Sequence, residues 1–322
     1  MKHFTMGLYD THFSALSVLK RTDYRPWLGY GVVLMFGVLL DVLCRYFPAD
    51  LPFWMPWQFS WPTYLMATLS LGWFTVGYLR LAPTDRAAHW RNACFVVGVL
   101  GDYTVLQTHI DYLAQHMFFV HRWAQFVLHH AGGFLIAMGT AGPTMRAGMP
   151  QFLLQIIDAR PTKRTIDVLQ HPVVAPLLFV GMLYFWLIPQ IQTWVMLDID
   201  LYNIMNWSMA INGIFFWCLI LDPRPNPPAR VSSFVRAMLI VAIELPQMVL
   251  GAILSLSATD YYPVYSICGR IMDITALTDQ HYGGLIIWLP GTLTSLAAMI
   301  VVLNALRIND EKAEITNTHL AH

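Results

Sequence analysis

Eight stretches of this chain, 26–45, 61–82, 92–109, 117–140, 172–195, 201–221, 234–257 and 283–306, are mostly apolar. Each runs to about 20 residues. At about 1.5 Å per residue, that length crosses a hydrocarbon layer about 30 Å thick. Inside lipid every backbone N–H and C=O must find an internal partner, and a single segment does so only as a helix. The expected fold class is therefore an all-α integral membrane protein, a bundle of about eight transmembrane helices. Turn signals such as Pro48-Ala49-Asp50 and Asp222-Pro223-Arg224-Pro225 separate the stretches, with longer Pro- and base-rich linkers at 141–171 and 222–233. Only 12% of residues are charged and 57% are hydrophobic, whereas a soluble domain carries about a quarter charged residues.

Positive charges orient the bundle. With the N-terminus on the cytoplasmic side, only Arg45, Arg122 and Arg270 of the 19 Lys and Arg fall outside, leaving sixteen inside (19 − 3). The cytoplasmic excess of Lys and Arg sets insertion direction, so both termini are expected in the cytoplasm. The expected organisation is a cytoplasmic segment 1–25, one membrane domain 26–306 and a cytoplasmic tail 307–322. Residues 1–25 include Lys2, Lys20, Arg21 and Arg25 without a cleavable apolar core. A net charge of +0 gives no bulk attraction for nucleic acid, so the lipid bilayer is the first partner. The cysteines Cys44, Cys94, Cys218 and Cys268 form no CxxC pair, and no disulfide framework is expected.

This threading sends metal-type and acidic residues outward. Between the third and fourth stretches lie His109, Asp111, His116, Met117 and His121; the turn at 196–200 holds Met196, Asp198 and Asp200. The last outer loop supplies Cys268, Met272, Asp273, Asp279 and His281. Imidazole, thiolate and thioether suit copper, and carboxylates widen the choice of transition metal. A metal site and a solvated, hydrogen-bonded rim both fit this pattern. His121, Gln125 and His129, at i, i+4 and i+8, lie on one helical stripe leading inward. His129 and His130 reach the helix centre beside Gly132 and Gly133, a depth shared by Asp102 and by Glu244, which precedes Pro246. Ionisable groups at that depth face the bundle interior and take partners. A His–Glu or His–Asp pair there would form a buried ligand set, a proton-relay fragment or a structural lock. Met196, Met205 and Met209 read as packing residues.

Four stretches, in order, resemble the CtaG-type cytochrome c oxidase assembly factors. They are Thr108–Gln125, His171–Pro189, the GIFFW segment Gly213–Trp217, and Leu245–Gly291 with its Asp279-Gln280 and Gly283-Gly284. Together they span about 92–306. The resemblance implies a polytopic, non-enzymatic protein that helps mature the copper centres of a respiratory oxidase at the outer face of a bacterial inner membrane. It further implies copper as the metal, and a respiratory oxidase subunit or copper-delivery protein as partner. The residues nominated to meet the metal are His116, His121, His129, Asp111 and Asp279, with His130, Asp102, Glu244, Gln125 and Gln280 as further polar groups near or within the membrane. The chain departs from the family pattern at three histidine positions, which here are Gln125, Leu187 and Asn206. Gln and Asn are poor copper ligands, so a metal-free scaffold or accessory subunit is the alternative. Proton or ion transport through Asp102, His129, His130 and Glu244 ranks third, since no matched pair of broken helices is visible. Asp279 also reads as an N-terminal cap for the last helix. No phosphate loop, HExxH or dinucleotide motif is present.

Overall fold

A computed structural model describes residues 26–227 and 229–320, so the N-terminal segment 1–25 lies outside the described residues. Among the described residues there is no strand, only an isolated bridge between Pro56 and Thr108. The first helices are α1 (Pro26–Tyr46), α2 (Trp61–Arg80), α3 (His89–Gln107) and the short α4 (His109–His116). Next come α5 (Phe118–Phe126), a π turn (Val127–Gly132) and α6 (Gly133–Met138), which continue one another. Three short helices follow: α7 (Gly142–Gly148), α8 (Gln151–Asp158) and α9 (Arg160–Leu169). The rest are α10 (Val174–Trp186), α11 (Pro189–Leu197), α12 (Ile199–Ile220), α13 (Ser233–Leu256), α14 (Val264–Cys268) and α15 (Ala276–Leu320).

Among the described residues, four helical segments are long and apolar enough to cross a membrane: Trp27–Tyr46, Ile199–Ile220, Ser233–Leu256 and Ala276–Asn309. The pair α9 and α10, bent by 69°, makes a fifth if counted as one span. The other expected stretches are also helical but differ in character. Helices α2 and α3 have the length with a more polar composition, including Arg91, Asn92 and Asp102 in α3. The stretch 117–140 contains the π turn. The stretch 172–195 breaks where Ile188 turns extended ahead of Pro189, as steric conflict with a following proline ring favours.

Interloop bonds show which loops share an end. At one end, Trp57 donates to Asp111, His109 meets the carbonyls of Phe53 and Met55, Tyr202 donates to Asp111, and His116 meets the Gly269 carbonyl. At the other, Arg80 donates to the Ala147 carbonyl, Arg91 to Thr140, and Arg230 pairs with Asp167. Local chemistry places the helix starts: Asp198 accepts from the Asp200 and Leu201 amides, and Ser232 from the Val235 amide. Helices α13 and α15 pack closely because Gly251 and Gly284 carry no side chain. A Cβ on Gly284 would sit 2.6 Å from the Ser255 nitrogen, and one on Gly251 2.4 Å from the Trp288 ring.

Candidate functional site

The end of the bundle that collects Asp111, His116 and Asp279 is a closed hydrogen-bond network. Met117, extended ahead of α5, gives that helix no side-chain cap. Asp279 supplies it from α15: its Oδ2 accepts the Phe118 amide at 3.0 Å and its Oδ1 the Phe119 amide at 2.8 Å. The same carboxylate pairs with Arg270 and is fully buried. Asp279 thus caps α5, a neighbouring helix. Its own helix is capped by Thr275, which accepts from the Thr278 amide. Gln280 braces the adjoining loop, accepting from the Tyr261 amide at 2.8 Å and donating to the Thr259 carbonyl at 3.0 Å.

Asp111 accepts from Tyr202 at 2.8 Å, Gln115 at 3.1 Å and Trp57 at 3.2 Å. Burial pushes its carboxyl up to about 6, against the lowering effect of those three donors. His116 is held through Nδ1 to the Gly269 carbonyl at 2.8 Å, with its ring against Tyr112.

His121 is completely buried one turn into α5. The Tyr265 hydroxyl accepts from Gln192 at 3.0 Å and meets Nδ1 of His121 at 2.6 Å. Burial pushes the Tyr265 phenol well above its ordinary value, so it stays neutral. On the other side of the ring, Nε2 of His121 lies 3.4 Å from Gln125 Nε2. Gln125 in turn donates to Asn206 at 2.6 Å. Two of the three positions where this chain departs from the histidine pattern therefore bond to each other beside the histidine that is kept. The third, Leu187, is buried apolar packing whose carbonyl accepts from Tyr262.

Deeper in the bundle the expected pairings do not form. His130 meets Gln247 at 2.8 Å, while Glu244 accepts from Thr292 and from Ser295, the latter at 2.7 Å. His129 stacks on Phe179, with ring centroids 3.8 Å apart, and bonds through neither ring nitrogen. Asp102 lies against the π turn, where a Cβ on Gly132 would come within 1.9 Å of its Oδ1. Among the described residues His129 and His130 form no pair with Glu244, because α13 aims Glu244 at the hydroxyls of α15. The stripe of His121, Gln125 and His129 does face inward. Met205 and Met209 are buried in the core and Met196 packs against it, as expected of packing residues.

Among the described residues no group of three or more His, Cys, Asp or Glu side chains could hold a metal. Three of the five nominated ligands are engaged elsewhere, Asp279 with two amides and Arg270, Asp111 with three donors and His121 with Tyr265, while His116 is held through Nδ1 alone and His129 through neither ring nitrogen. Sequence reasoning missed Tyr265, Gln192 and Arg270 as members of the network, and passed over Arg122, which is 3% exposed. A basic residue within an apolar stretch was the available signal for Arg122.

Fold and site together define a polytopic helical membrane protein with a buried polar network towards one end of the bundle. The profile of the cytochrome c oxidase caa3 assembly factors, Caa3_CtaG, matches residues 72–307. The chain belongs to that family. No curated protein and no solved structure matches it.

Proposed function

We propose that this protein is a non-catalytic assembly scaffold for cytochrome c oxidase, which docks an oxidase subunit against the network-bearing end of the bundle without a resident copper ion. The supporting observation is the Gln125–Asn206 bond beside His121, within a network that ties α4, α5, α11, α12, α14 and α15 together. Side chains with ligand chemistry are used there to hold a surface in shape. Copper belongs in this reading to the oxidase being matured, as cargo met by the partner.

The proposed topology has eight membrane-crossing segments in the inner membrane of a bacterium, both termini cytoplasmic, and the network-bearing end outside. Its support is the placement of Arg45, at the end of α1, and Arg270 beside the linked loops of one end, with Arg122 in the second turn of α5 from that end, while Arg80, Arg91, Arg146 and Arg230 sit at the other.

Affinity purification of the tagged chain from native membranes tests the docking. An oxidase subunit is expected to co-purify, and to do so equally with His121→Ala and His129→Ala. Metal analysis of the same samples is expected to give substoichiometric copper. Stoichiometric copper that disappears with His121→Ala would overturn the scaffold reading in favour of copper handling by the chain itself.

A further inference from the structure

A cavity of about 20 Å³ lies at the centre of the bundle, between α5, the π turn, α10, α12, α13 and α15. That is room for about one water molecule or monatomic ion. Its polar wall is Arg122, Gln125, His129, His130 and Gln247, each more than nine-tenths buried. Several of their polar atoms have no protein partner: Nε and Nη2 of Arg122, Oε1 of Gln125, both ring nitrogens of His129 and Nδ1 of His130. The π turn brings the two histidines to this wall, and such turns frequently mark functional sites.

Charge distinguishes this cavity from an ordinary water pocket. A guanidinium remains protonated in proteins, and a buried charge without a counter-charge is strongly unfavourable. Arg122 rests over the Phe118 ring at 5.0 Å but forms no ion pair with a carboxylate among the described residues. The nearby Asp279 is committed to Arg270 and to the start of α5. Arg122, Arg270 and Asp279 together leave a net charge of one positive unit (2 − 1).

We propose that the cavity binds a small monatomic inorganic anion of the chloride class, held by Arg122 as its counter-ion with an N–H of His129 as second donor. Water would satisfy the acceptors on the wall and leave the guanidinium uncompensated. The site is built for binding and not for conduction. Its polar line ends at Gln247, Glu244 and Ser295, and below them Ile240, Ile243, Phe216, Trp217, Ala298 and Val302 form an apolar plug. The inference does not depend on the assembly role.

The test uses the full chain purified in detergent, in gluconate buffer at constant ionic strength, with chloride or bromide replacing gluconate. A ligand bound only by the folded state raises the unfolding temperature. Saturation is expected to raise Tm by about 4 °C, with the rise abolished in Arg122→Gln. Equal Tm in gluconate and chloride overturns the proposal. Crystals grown in bromide decide the matter independently of any variant. An anomalous peak in contact with Arg122 supports the site, and water alone in a structure without that peak refutes it.

Discussion

Replacing Asp279 by alanine removes one carboxylate that performs two tasks, and the structure separates their magnitudes. The first is capping: the Phe118 and Phe119 amides, bonded at 3.0 and 2.8 Å, lose their acceptor. A lost cap costs about 1 kcal/mol. The second is pairing with Arg270, whose side chain is 12% exposed while that of Asp279 is fully buried. Removing one partner of a buried pair costs about 3–5 kcal/mol. The lower end applies, because Arg270 keeps some access to solvent. The sum is about 4 kcal/mol, or a fall in Tm of about 8 °C for a chain of this size. The assay is thermal unfolding in detergent followed by intrinsic fluorescence, with 12 tryptophans as reporters. Asp279→Asn, which keeps the shape and an acceptor oxygen, should lose about half as much. A double-mutant cycle with Arg270→Met isolates the pair. In that background Asp279→Ala should cost only the capping part, about 1 kcal/mol. A drop of under 2 °C for Asp279→Ala would show that Asp279 does not lock α15 to the start of α5, and additive effects in the cycle would show that it is not coupled to Arg270.

Three further outcomes follow from the same network. Asp111 is raised from 3.8 to about 6, so folding favours its protonated form. Stability should be greatest below about pH 4, fall by up to about 3 kcal/mol as pH rises to about 6, and level off above that. Tm against pH should show this slope in the wild type and lose it in Asp111→Asn; an unchanged slope in the variant would assign it to other groups. Gln125→His combined with Asn206→His would place three imidazoles where His121, Gln125 and Asn206 now meet within 3.4 Å. The double variant should bind copper or zinc at about one ion per chain by metal analysis, a gain absent from either single variant. A Cβ on Gly213 would lie 2.5 Å from the His129 carbonyl oxygen, so Gly213→Ala should cost about 1–3 kcal/mol, read as a lower Tm; an unchanged Tm would mean that α12 and the π turn are not in close contact.

Helix existence was legible because it depends on local composition: an apolar stretch in lipid has no other way to satisfy its backbone. The interruptions were less so. Pro189 is a visible signal for the break after Trp186, but nothing local announces the π turn at Val127–Gly132. The site followed the same division. That His121, Gln125 and His129 share a face is a matter of spacing, and they do. Their partners are set by which helices meet. Asn206 lies 81 residues from Gln125, Tyr265 144 residues from His121, and Asp279 161 residues from the amide of Phe118. Local spacing alone suggested that Asp279 would cap its own helix, yet Thr275 occupies that role and frees the carboxylate for α5.

The two departures at Gln125 and Asn206 gain their meaning only as a pair. Either amide alone, buried beside His121, would leave polar atoms without a partner, at a cost of about 1–3 kcal/mol. Together they bond at 2.6 Å and turn a place where histidines would gather into a neutral cross-link between α5 and α12. An isolated substitution at a ligand position would have left a damaged metal site. The paired substitution leaves a mechanically sound one, and this is the physical basis for assigning the network a structural role within an oxidase-assembly family.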